Sequence, residues 1–94
     1  MYNLKVFPTD NSAASYTSDV IKFETRGNRT GIFQININAG DTAVLQARLS
    51  STFNWVDVVT VDGADAQQEV ILSPEFRLVV TNTSGSEVLA AIHV

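Results

Sequence analysis

Apolar and polar residues alternate with period two along nearly the whole chain, and the i, i+3, i+4 spacing of a helix is nowhere sustained. The alternation predicts eight strands, at 2–7, 18–24, 30–38, 42–50, 55–61, 67–72, 75–82 and 87–94. The breaks between them carry turn chemistry: Gly27-Asn28, Ala39-Gly40-Asp41, Asp62-Gly63, Ser73-Pro74 and Ser84-Gly85. Twelve Val residues and abundant Thr suit strands better than helices. Helix formers occur in a row only at 64–69, a stretch too short and too poorly capped to stand as a helix. These features predict one all-β domain over 1–94, an antiparallel β-sandwich of jelly-roll-like or immunoglobulin-like kind. Segment 8–17 is too long for a tight hairpin and is expected either to cross between sheets or to form a surface loop.

The same alternation sorts side chains by face. Leu4 and Val6, Ile21 and Phe23, Phe33, Ile35 and Ile37, and Ala43, Leu45, Ala47 and Leu49 form inward sets. Trp55, Val59 and Val61, then Phe76, Leu78 and Val80, then Val88, Ala90, Ile92 and Val94 continue them. The opposite positions should be polar if they met only water. Instead they include Phe7, Val20, Ile32, Val44, Val56, Val58, Ile71, Val79 and Leu89. Covering roughly 400 Å² of such surface per subunit would contribute about 10 kcal/mol before the cost of association. Val20, Ile32, Val44, Val79 and Leu89 are therefore the expected subunit or partner contacts.

Composition narrows the chemistry. Charged residues make up 17% of the 94, below the roughly 25% of an average domain, and Ser, Thr, Asn and Gln supply the polarity instead. An uncharged surface is cheaper to desolvate against another protein. A net charge of −4 with six scattered Lys and Arg argues against nucleic acid and against an anionic membrane. No apolar run approaches a membrane span, and the first residues read as a strand rather than a secretory leader, so synthesis in a cytoplasm is expected. The absence of Cys excludes disulfides, thiolate metal sites and a thiol nucleophile.

Candidate catalytic groups are sparse. The sole His, His93, stands on the last strand, where a surface or interface place is the simplest reading. Asp57, Asp62, Asp65 and Glu69 form an acidic stretch around Gly63, but without the ligand density of a calcium loop, and Asp-Gly is an ordinary turn. Asp57 with Glu69 or Glu75 would make a glycosidase pair only across a cleft, for which so short a sandwich has little material. Tyr16, Phe53 and Trp55 are candidate sugar-stacking aromatics, with Trp55 expected in the core instead. The sequons at Asn28 and Asn82 carry no weight, since chance alone predicts about one and no secretory signal accompanies them. No enzyme, cofactor or metal is expected.

One segment has a familiar order. Val44-Leu45-Gln46-Ala47-Arg48-Leu49-Ser50 is followed by Phe53-Asn54-Trp55-Val56-Asp57-Val58, and then by Pro74-Glu75-Phe76-Arg77-Leu78-Val79-Val80-Thr81-Asn82. This order, over residues 44–82, resembles small structural proteins encoded by tailed bacteriophages. The resemblance implies a non-enzymatic β-sandwich of the virion, foremost a capsid decoration (cement) protein. Such a protein would bind the outside of the major capsid protein shell, commonly as a homotrimer on a local three-fold axis. Two other roles are expected as alternatives: a glycan- or receptor-binding module of a fibre or baseplate, and a tail-tube, head-closure or connector protein.

Overall fold

Alternating Val, Ile, Leu and Thr positions fold as strands because each strand can bury one side and wet the other. A computed structural model describes residues 4–8, 15–24, 29–84 and 87–94. Its nine strands are β1 (Leu4–Val6), β2 (Ser15–Thr17), β3 (Ile21–Lys22), β4 (Thr30–Asn36), β5 (Thr42–Arg48), β6 (Val56–Asp62), β7 (Ala66–Ile71), β8 (Glu75–Thr81) and β9 (Leu89–His93). There is no helix among the described residues, and the helix formers at 64–69 fall in a turn and in β7.

Two antiparallel sheets stack on each other. The front sheet has the order β1-β9-β4-β7, and the back sheet has β2-β8-β5-β6 with β3 also on β8. The pairs are nested: β5 with β6, β4 with β7, β2 and β3 with β8, and β1 with β9. That nesting is the jelly-roll connectivity, so of the two sandwich types predicted the strand order matches the jelly roll.

The ninth strand comes from a divided one. β2 and β3 lie along the same edge of β8, separated at residues 18–20. Ser18 bridges the gap: its N–H donates to the Leu78 carbonyl (2.8 Å) and its hydroxyl accepts from the Leu78 N–H (2.9 Å). β2 falls within segment 8–17 and lies on the sheet opposite β1, so this stretch does change sheets. Residues 9–14 of it lie outside the described residues, as does the Gly27-Asn28 turn.

The core lies between the sheets. Phe33, Ile35 and Ile92 from the front meet Leu45, Phe76, Leu78 and Val80 from the back, all fully buried. Phe7 packs edge-on against Phe33 and Phe23 edge-on against Phe76, with centroids 6.2 and 5.8 Å apart. Gly31 on β4 is required by close packing, since a Cβ there would stand 2.9 Å from the His93 carbonyl oxygen.

Four inward assignments do not hold, those of Leu4, Val6, Leu49 and Trp55. Leu4 and Val6 are more than half exposed and point outward, while Phe7 is buried. β1 is an edge strand, so its inward Lys5 sits at the sandwich margin. There its ammonium lies over the Phe23 ring, 4.8 Å from the centroid, and donates to the Lys22 carbonyl. Burying the Phe7 ring thus takes precedence over burying two smaller aliphatics. Leu49 continues the inward parity of Ala43, Leu45 and Ala47 yet is 62% exposed, so the β5–β6 hairpin runs past the cover of the front sheet.

Candidate contact surfaces

The five residues expected to make contacts divide between two opposite faces and a connector. Ile32 and Leu89 stand on the outer face of the front sheet. Val44 and Val79 are a cross-strand pair on the outer face of the back sheet, both half-buried. Val20 lies in the exposed connector between β2 and β3. A single flat interface therefore includes one pair or the other.

The front face is the more apolar. Register places Leu4, His93, Ile32 and Glu69 in one cross-strand row, and Val6, Ala91, Gln34 and Gln67 in the next. Because Ala91 is small, the face dips along β9 into a trough of about 350 Å³. Leu4, Leu89, Ile32 and His93 border it, with Gln34 and Gln67 on the β7 side. Gln67 donates to the Gln34 carbonyl oxygen at 2.9 Å, so these amides hold one another. Among the described outward positions of this sheet only Glu69 and His93 are ionisable.

The back face differs in chemistry. Arg48 pairs with Glu75 at 2.9 Å, Arg77 donates to Gln46 at 2.7 Å, and Gln46 donates to Asp57 at 2.9 Å. Trp55 closes this network from outside: the Arg48 and Arg77 guanidinium carbons lie 4.1 and 4.5 Å from its ring centre. The expectation that Trp55 fills the core is therefore corrected. The residue lies opposite the outward Arg48 on the approach to β6, and two cations hold its ring. A bulge between Leu45 and Gln46 sets Asp57 rather than Val58 against Gln46.

A third apolar feature is the tip of the β5–β6 hairpin. Leu49, Phe53 and Val56 are each more than half exposed, and residues 49–56 carry no charge. Val56 pairs with Ala47, so Leu49 is its diagonal neighbour on the same side. The Phe53 N–H donates to the Ser50 carbonyl in the turn between them.

Asp57, Asp65 and Glu75 are engaged within the fold. Asp57 is bound by Gln46, and Asp65 accepts the Ile37 N–H at 2.9 Å, extending the ladder past β4. Glu69 lies on the front face and Asp57 on the back, while Glu75 is tied to Arg48, so no cleft brings these carboxylates together. No group of three or more potential metal ligands occurs among the described residues.

Asp41, fully buried, is the acid that sequence reading missed. Its carboxylate accepts the Ser84 hydroxyl (2.6 Å), the Ser84 N–H (2.9 Å) and the Thr83 hydroxyl (3.3 Å). Its carbonyl accepts the Gly63 N–H, with Gly63 in the left-handed region at φ +67°. Three turns are thereby pinned at one end of the sandwich. The Ser84 hydroxyl, then its N–H, with help from Thr83, hold the Asp41 carboxyl below its ordinary range against the opposing effect of burial.

Comparison with protein-family models, curated proteins and solved structures found no match to this chain.

Proposed function

We propose that this protein is a non-enzymatic structural component of a tailed-phage particle, a decoration protein that binds the outside of the head shell as a homotrimer. The observation that carries the reading is the front face. An edge strand that turns Leu4 and Val6 outward and Lys5 inward leaves an almost uncharged, trough-bearing surface on a chain of net charge −4. Water alone does not favour that arrangement, whereas contact with protein does. Like-charged subunits meet little electrostatic opposition where they approach through a surface of this kind. The jelly roll itself serves viral shells and lectins alike, so it supports the reading by analogy of fold only. The Trp55 ring, held by Arg48 and Arg77, gives no advantage to a sugar-stacking role.

The test is co-sedimentation with purified head shells of the phage that encodes the chain. Saturable binding in a fixed ratio to the major capsid protein, with a raised shell disruption temperature, is expected. Protein that stays in the supernatant at all concentrations contradicts the proposal.

A further inference from the structure

The front-sheet trough and the β5–β6 hairpin tip are both apolar, both free of net charge, and placed on different sides of one molecule. The trough is on the outer face of the front sheet, while the tip belongs to the back sheet and overhangs the core side. We infer that they are the two halves of one contact: Leu49, Phe53 and Val56 of one copy seat in the trough bordered by Leu4, Ile32 and Leu89 of the next. The inference rests on the assembly reading above and names the partner of its contact face as a second copy of this chain.

Three observations favour that occupant. First, size: the trough of about 350 Å³ accepts a Phe side chain with an aliphatic neighbour, and its floor at Ala91 has no bulky group to displace. Second, charge: residues 49–56 carry none, and the trough is edged only by His93 and, one strand further, by Glu69. Two chains of net charge −4 could join there with little electrostatic opposition. Third, area: the half-exposed Leu49, Phe53, Val56, Leu4, Leu89 and Ile32 together offer roughly 600 Å² of apolar surface. That is about half of the roughly 1,200 Å² at which specific stable interfaces begin, and the rest falls to the polar residues around knob and trough.

A knob and a hole on different sides make a head-to-tail contact. Such contacts close into rings when the rotation permits, and three copies closing in this way make a trimer with every knob and hole filled. A face-to-face pairing of two front sheets would leave the hairpin tips exposed.

Complementation distinguishes the two. Phe53→Asp removes the knob and keeps the hole, while Leu89→Asp does the reverse. By light scattering behind a sizing column, each variant alone is expected to be a monomer while the unaltered chain is a trimer. Mixed in equal amounts, the variants are expected to form a dimer, because one intact knob meets one intact hole and the ring cannot close. A mixture that stays monomeric, a Phe53→Asp variant that keeps the mass of the unaltered chain, or an unaltered chain that is itself a monomer overturns the inference. Thermal midpoints taken alongside separate lost contact from lost fold, and Val56→Asp with Leu4→Asp form a second pair if either first variant does not fold. Shell binding is scored separately: a trimer built this way that ignores head shells refutes the decoration role but leaves the contact standing.

Discussion

The parity of β1 decides which face of the front sheet is apolar, and a pair of truncations tests it. Phe7 is 1% exposed and packs edge-on on Phe33, whereas Leu4 is 55% exposed on the outer face. Phe7→Ala removes a fully buried ring and leaves a cavity between the sheets, which costs about 3–5 kcal/mol. A chain of 94 residues has a total stability of about 5–14 kcal/mol, so much of it is spent in that one change. At about 4 °C or more per kcal/mol, the thermal midpoint should fall by at least about 12 °C. Leu4→Ala should cost the monomer roughly 1 kcal/mol or less, because little of that side chain leaves the core. Urea and thermal melts followed by circular dichroism measure both, and two protein concentrations add a second reading. The Phe7 effect should be the same at each, whereas Leu4, on the proposed contact face, should matter more if subunits assemble through it. Equal losses for the two variants at high dilution would refute the assigned parity of β1 and remove Leu4 and Val6 from the apolar front face.

Other perturbations bear on particular groups. The folded-state pKa of Asp41 lies below its ordinary value of 3.8, so its contribution is full above that value and is lost as pH falls through the lower, folded one. The midpoint difference between the unaltered chain and Asp41→Asn should therefore narrow as pH drops below 3.8, and a difference constant with pH contradicts the role given to Ser84 and Thr83. Gly31→Ala should destabilise by about 1–3 kcal/mol in urea melts, since the new methyl meets the His93 carbonyl oxygen at 2.9 Å; a neutral result would place β4 and β9 further apart. Arg77→Ala should shift Trp55 fluorescence while costing about 1 kcal/mol or less, because the ring and its cations lie outside the core; an unchanged spectrum counts against the stacked arrangement.

Much of the fold can be read from the chain because β4, β5 and β8 alternate without ambiguity and each buries one side completely. Parity fails at the ends of the pattern and at the β6 bulge, where skipping Val58 sets Val56 opposite the inward Ala47. In Leu4-Lys5-Val6-Phe7 two registers each offer apolar residues, and the choice depends on an edge position where the Lys5 ammonium can lie over the Phe23 ring. Leu49 keeps perfect parity but stands beyond the facing sheet, a matter of relative strand length that local sequence does not encode. Trp55 resembles a core aromatic until Arg48 and Arg77 are seen on adjacent strands beneath it, a juxtaposition created by the β5–β8 register. The expected contact residues Ile32 and Leu89 were legible as surplus apolar positions. That Val44 and Val79 belong to the opposite face follows only from which strands join which sheet. Asp41 gave no signal beyond a turn, since its partners Thr83 and Ser84 are more than 40 residues away.

The proposal that the largely apolar front face joins subunits is tested most directly by absolute mass in solution. Light scattering behind a sizing column at two concentrations should give three times the 10.2 kDa of the chain at the higher one. A mass of one chain at both concentrations would contradict the claim.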